Sequence, residues 1–277
     1  MIPFVWFTEG NAGIYLLSLM TITAIVCFLL GLITENYSQV DKLWSLLPPI
    51  YCSIVLLCAS FQPRILLMTI LAWMWGIRLT YNFARKDGYK WSSEDYRWPI
   101  LRKIINNRFL FEIFNLLFIS IIQNILLLFI ASPIFYIAYH QSISLNLWDL
   151  ICTLLFLFFF IIEITADQQQ WNFHIDKNTH QPWTKDGFLQ TGLFKYSRHP
   201  NFFSEICIWW IFYAFTFSVQ PFSYINWTIL GAISLTLLIH ISTSFTEAIS
   251  SGKYPKYKQY QQTTSRLIPC WCSKKVD

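Results

Sequence analysis

Apolar residues gather in this chain into long uncharged runs. Residues 10–34, 43–63, 113–148 and 206–246 carry no Asp, Glu, Lys or Arg, and each reaches or exceeds the roughly 20 residues that cross a hydrocarbon core as helix. Two shorter stretches, 65–83 and 147–166, cross only with Arg78 and Glu163 tolerated near an end or in a bundle interior. The last run is too long for one helix, and Val219-Gln220-Pro221-Phe222-Ser223 supplies a break. The pattern predicts an all-α fold, a polytopic membrane bundle of about seven transmembrane helices at about 12–33, 43–60, 65–83, 113–133, 147–166, 202–218 and 225–244. The first segment lacks a basic flank and is long for the apolar part of a cleaved signal, so it reads as a retained helix. No repeat, low-complexity tract or Pro/Gly/Ser linker divides the chain, and residues 1–277 read as a single membrane domain.

Composition agrees with that pattern. Hydrophobic residues make up 55% of the chain and charged ones 13%, against about 25% charged in a soluble domain, and the mean hydropathy is +0.43. Trp6, Tyr37, Trp91, Tyr139 and Trp227 flank apolar runs as interfacial anchors. Lys and Arg set the orientation. Arg78, Arg85, Lys86, Lys90, Arg97, Arg102, Lys103 and Arg108 surround the third loop, Lys177, Lys185, Lys195 and Arg198 fill the fifth, and six more follow the last helix. These are alternate loops, so one topology puts them all on the cytosolic side, with the N-terminus lumenal or external, the C-terminus cytosolic and Arg64 stranded on the far face. The net charge of +5 then reads as orientation plus a cytosolic anion-binding surface pressed against the lipid bilayer, and no nucleic acid partner is implied. Residues 84–112, 167–201 and 248–277 fall on that one side and are predicted to form a cytosolic cap.

Seven cysteines make no disulfide framework, because Cys27, Cys52, Cys58, Cys152 and Cys207 fall within predicted helices, and Cys270 with Cys272 lacks further ligands for a metal. The chain ends Lys274-Lys275-Val276-Asp277, which has the form of a dilysine tail that returns membrane proteins to the endoplasmic reticulum of a eukaryote.

The residues able to carry chemistry sit at helix ends. In "TGLFKYSRHPNFFSEI", residues 191–206, Pro200 suits the first turn of the sixth helix, and Asn201 and Glu205 fall four apart on one face. Glu205 is either an intramembrane functional carboxylate or a helix-start residue bonded to Arg198 or His199. The fifth helix ends "FIIEITADQQQWNFH", where Glu163 and Asp167 repeat the spacing. If the two helices pack together, four polar side chains line one pocket. The third helix ends "WMWGIRLTYNFARKDGYKW", with Arg78, Tyr81 and Arg85 on one face, followed by Lys86 and a basic, aromatic loop suited to phosphates or to a plain membrane surface. Asp41 and Lys42 are candidates for a mutual ion pair, and His240 for a core histidine. No G-x-G-x-x-G, phosphate-binding loop, G-x-S-x-G or H-E-x-x-H is present, so a bound dinucleotide cannot rest on a Rossmann turn.

"GLFKYSRHPNFFSEI" and "YPKYKQYQQTTSRLIP" resemble the C-terminal region of the steroid 5-alpha-reductase family, and "WSLLPP" and "WGIRLTYNFARKDGYKWSSEDYRW" extend the likeness to residues 35–270, with the family-like C-terminal region at 187–270. The resemblance implies a seven-helix bundle and NADPH-dependent reduction of an activated carbon–carbon double bond in a lipid-like substrate. It places Asn201 and Glu205 at the nicotinamide, Asp167 at the adenosine, and Arg78 and Glu163 beside the cofactor. It groups Arg85, Lys86, Tyr196, Arg198, His199, Glu247 and Arg266 with the cofactor-binding residues. Asp41, Tyr81 and Glu205 are the catalytic candidates. Trp75 stands where steroid-reducing members have a catalytic Tyr, which turns the expectation away from a 3-oxo steroid. Arg198-His199-Pro200 is also shared with isoprenylcysteine-type membrane methyltransferases, which bind S-adenosylmethionine through that motif and a later glutamate pair, of which only Glu247 is present.

Overall fold

The computed structural model describes residues 11–140, 144–219 and 225–270. Trp6, residues 220–223 of the expected break, Cys272 and the dilysine tail lie outside the described residues. Among the described residues the regular structure is helical, with one isolated parallel bridge between Ser197 and Ser265. In chain order the α-helices are α1 (Asn11–Thr34), α2 (Gln39–Leu43), α3 (Leu47–Cys58), α4 (Pro63–Ala84), α5 (Arg97–Ile105), α6 (Arg108–Phe114), α7 (Gln123–Tyr139), α8 (Leu147–Asn178), α9 (Pro200–Ala214), α10 (Ile229–Lys253) and α11 (Tyr257–Thr263). A π-helical segment, Asn115–Ile122, joins α6 to α7 without a break.

Among the described residues, four helical stretches are long and apolar enough to cross a membrane: Ala12–Thr34, Arg108–Tyr139, Leu147–Asn178 and Ile229–Lys253, with mean hydropathies of 2.6, 2.4, 2.3 and 1.6. The other three stretches predicted to cross also fold as helix, but each is shorter or less apolar. α3 has 12 residues, about 18 Å of helix against a hydrocarbon core of about 30 Å. α4 carries Arg64 and Arg78, and α9 has 15 residues before a tighter 3-10 turn at Phe215–Ser218. α8 runs well past the predicted end at residue 166, because 168–178 contains neither Gly nor Pro to stop it. Asp167 therefore lies inside a helix, not at its end.

The chain falls into two compact units, Met1–Thr153 with Phe212–Ser234, and Leu154–Ile211 with Leu235–Asp277. In the first, backbones approach where side chains are small. A Cβ on Gly76 of α4 would lie 2.5 Å from the Ser45 carbonyl oxygen and 2.7 Å from the Pro49 ring. In α7, Pro133 has no N–H to give the Phe129 carbonyl. Ser132 Oγ donates to that carbonyl at 2.6 Å instead. Gly231 of α10 approaches the same oxygen so closely that a Cβ would sit 2.2 Å away.

Arg64 is fully buried in this unit. Its Nε and Nη2 donate to the two carboxylate oxygens of Asp149, each at 2.8 Å. Ser218 Oγ donates to Asp149 Oδ1 at 2.7 Å, the Asn146 backbone N–H to Oδ2 at 2.8 Å, and Arg64 Nη2 also to the Ser144 carbonyl at 3.0 Å. A buried charge is tolerated only with a partner and filled hydrogen bonds, and this one has both. Asp149 is thus a second acid, beside Glu163, within residues 147–166.

In the second unit α8 and α9 pack through an edge-on contact of Phe159 with Phe203 at 5.9 Å, and Trp210 Nε1 of α9 donates to Thr236 Oγ1 of α10 at 3.0 Å. Two positive-φ glycines shape the α8–α9 connection. Gly187 (φ 83°) lies against the Tyr254 ring, where Lys177 Nζ donates to the Gly187 carbonyl at 2.8 Å and to the Tyr254 hydroxyl at 3.0 Å. Gly192 (φ 62°) leaves room for Gln169, whose side-chain oxygen accepts from the Leu193 N–H at 2.9 Å. Lys256 meets Asp186 at 2.9 Å and holds that carboxyl below its ordinary range.

Candidate functional site

Within the second unit, the packing of α8 on α9 brings together two of the predicted polar residues. Asn201 Nδ2 donates to Asp167 Oδ1 at 3.3 Å. Glu163 and Glu205, one helical turn before and after, are buried at 3% and 7% exposure, and Asp167 at 5%. Glu205 Oε1 accepts from Trp209 Nε1 at 3.1 Å. Each carboxylate sits on an apolar helix near the polar connection, a setting in which acidic residues mark functional sites.

Arg198 and His199 turn elsewhere. Arg198 Nε and Nη2 form a two-pronged pair with the Glu247 carboxylate at 2.6 and 2.9 Å, and His199 Nε2 lies 3.0 Å from Glu247 Oε1. Gln261 Nε2 donates to Glu247 Oε2 at 2.9 Å. The remaining guanidinium nitrogen of Arg198, Nη1, donates to the carbonyls of Gln261 and Thr264. The backbone N–H groups of Arg198 and His199 donate to the Ser265 and Arg266 carbonyls at 2.8 and 3.1 Å, and Ser197 Oγ to the Leu267 carbonyl at 2.7 Å. The R-H-P turn, α10 and residues 261–267 are thereby fastened together, with Arg198 as the bracket. All three of its nitrogens are engaged within the protein.

Tyr196 lends its carbonyl to the Cys270 N–H at 3.0 Å. Arg266 points outward, donating to Ser244 Oγ at 2.7 Å and lying 3.3 Å from His240 Nδ1. His240 is exposed on α10 and not in a core, since its helical position falls on an outer face.

The first unit holds the other candidates. Asp41 of α2 takes a hydrogen bond from elsewhere than Lys42: its Oδ2 accepts from Trp98 Nε1 at 3.0 Å, while Lys42 lies over the Trp91 ring at 5.6 Å. Burial pushes the Asp41 carboxyl up; nearby Arg97 pulls it down and Asp95 adds to the rise. The Asn36 amide donates to the Trp91 and Ser93 carbonyls, Tyr37 N–H to Glu94, and the Asp95 N–H to Ser38 Oγ, so residues 36–41 organise the loop at 91–98. Tyr81 is 66% exposed, with the Arg85 guanidinium over its ring at 5.5 Å, and Arg85 donates to the Asn82 side chain. Arg78 lies on α4 with Nε and Nη2 shielded from solvent, Trp75 beside it is fully buried, and Lys86 is exposed beyond the helix end.

Gln169, Gln261 and the Arg64–Asp149 pair escape sequence reasoning. A glutamine carries no signal apart from its partner. Asp149 does carry one, as a charge inside an apolar run.

Residues 27–264 match the model of a protein family described as "Protein of unknown function (DUF1295)". A Schizosaccharomyces pombe protein described as "Uncharacterized protein C594.04c" is 38% identical over 255 residues, covering 85% of this chain and 73% of that protein. No solved structure matches the chain. A match across most of the chain, joined to the identity with the yeast protein, shows that the chain belongs to the DUF1295 family.

Proposed function

We propose that this protein is a membrane-embedded reductase that uses NADPH to reduce an activated carbon–carbon double bond in a lipid-like substrate, a steroid, enone or enoyl compound. The observation that carries the reading is the meeting of Asp167 and Asn201 at 3.3 Å between α8 and α9, with Glu163 and Glu205 buried on the same two helices. The donor set fits such a cofactor in kind. Buried carboxylates accept from ribose hydroxyls or a carboxamide N–H, and the Asn201 amide both donates and accepts. Arg198 is better suited to bracing the R-H-P turn, because its nitrogens already have partners. When bound, NADPH supplies the hydride. The chain's own part is to hold it, exclude water and give a hydrogen bond to the substrate carbonyl. Asp41 and Tyr81 are the candidates for that donor, and burial raises the Asp41 carboxyl.

The same proposal takes α3, α4 and α9 as further membrane-crossing elements, making seven spans in one membrane domain. It places the protein in the endoplasmic reticulum, with a lumenal N-terminus and a cytosolic C-terminus.

One observation favours a second reading. The Arg198–Glu247 pair with His199 beside it joins the R-H-P motif to the one glutamate present of the later pair through which isoprenylcysteine-type methyltransferases bind S-adenosylmethionine. A third possibility is a lipid-binding protein without catalysis, in which Glu205→Gln is silent. The deciding experiment is to purify the full chain in detergent, identify released small molecules by mass spectrometry, and titrate NADPH into the protein and into Asn201→Ala. Bound NADP(H), lost in the variant, supports the reductase. S-adenosylmethionine or its demethylated product supports the second reading, and a protein that ignores both cofactors sinks the two enzyme readings together.

A further inference from the structure

The first unit contains an apolar groove of about 290 Å³ between α1 and the π-helical segment, with Thr21, Ala24, Ile25 and Phe28 on one wall and Leu116 and Ile121 on the other. The backbone explains why it is not filled. Hydrogen bonding from i to i+5 widens the helix, and Leu116 and Ile121, five residues apart, both line the groove. Both walls belong to membrane-length helices, and a groove so lined stays dry.

At one end the same two elements carry charge. Arg108, at the start of α6, meets Glu35, just past α1, at 3.4 Å, and both side chains are largely exposed at 79% and 60%. Lys103 lies exposed in the last turn of α5, and Arg102 beside it donates to the Glu35 carbonyl at 3.4 Å. From Phe28 to Glu35 is seven residues, about 10 Å of helix, roughly the depth separating a lipid phosphate from its upper chain. An exposed pair such as Arg108–Glu35 contributes little, so Arg108 can leave Glu35 for a lipid phosphate at small cost.

We infer that this groove holds an acyl chain of an anionic phospholipid whose phosphate is met by Arg108 and Lys103. The inference goes beyond the reductase reading and needs no cofactor to test. Full-length protein in detergent is mixed with micelles containing equal phosphatidylserine and phosphatidylcholine, washed, and its retained lipid counted by native mass spectrometry. Phosphatidylserine should be retained about fivefold over phosphatidylcholine, and Arg108→Ala should remove most of that preference. Thr21→Phe, an exposed position whose ring would fill the groove, should lower retention to a similar extent, whereas Ile22→Phe, on the exposed face beside it, should not. Equal retention of the two lipids, or a Thr21→Phe protein that keeps its phosphatidylserine, overturns the inference. All three variants should bind NADPH as the parent does, so failure here is separable from failure of the reductase reading.

Discussion

Asp149→Asn replaces a carboxylate with an amide of nearly the same shape and leaves Arg64 charged at 0% exposure, opposite a partner that was itself 2% exposed. Breaking a buried pair by removing one member costs about 3–5 kcal/mol, because the remaining charge has no water to turn to. The lower end applies here. With its oxygen toward the Asn146 N–H the amide keeps that bond, its NH2 can donate to the Ser218 hydroxyl, and Arg64 keeps the Ser144 carbonyl, so the loss is the charge and the bond Arg64 made to the second oxygen. About 3 kcal/mol corresponds to a fall of about 6–12 °C in apparent midpoint for a chain of this size. Intrinsic tryptophan fluorescence during heating in detergent, at one fixed scan rate, measures it. Adding Arg64→Met to Asp149→Asn removes the stranded charge and should recover more than half of the loss. A fall under about 2 °C, the behaviour of an exposed pair, would refute burial as the source of the energy, as would a double variant less stable than the single one.

Gly231→Ala places a methyl against the Phe129 carbonyl and should destabilise by about 1–3 kcal/mol, whereas Gly252→Ala, with nothing within 4 Å, should be neutral or gain up to about 1 kcal/mol in the same heating experiment. Glu247→Gln weakens the grip on Arg198, and amide hydrogen exchange at Arg198 and His199 should rise selectively over that of α8; unchanged exchange would show that the bracket is dispensable. Because burial raises the Asp41 pKa in the folded state, its proton-bound stability is fully present below the ordinary aspartate range and is lost as pH rises through the folded value. Asp41→Asn should flatten that part of the stability–pH curve and make the protein relatively more stable above it, and an unaltered curve would place the titration elsewhere.

The uncharged runs were sufficient to identify apolar helices, since a membrane solvent demands long stretches without charge and the backbone must satisfy itself as helix. Pro200 was sufficient to start α9, because a proline costs nothing where the N–H has no helical partner. The end of α8 was less legible: residues 168–178 are polar yet good helix formers, and polarity alone marks the end of a membrane run, not of a helix. The π-helical segment left no mark either, as Asn115–Ile122 reads like any apolar helix.

Side-chain partnership was decided only by the tertiary structure. A local pattern can put Glu163 and Asp167, or Asn201 and Glu205, on one face of a helix, because that depends on a repeat of 3.6 residues. It cannot choose between Glu205 and Glu247 for Arg198, or show that Arg64 has a partner 85 residues away in Asp149. Such choices rest on which helices lie side by side and on desolvation, which makes a charge without a partner too costly to keep. The sequence by itself determined the solvent and the helices; the packing of those helices determined which polar groups meet.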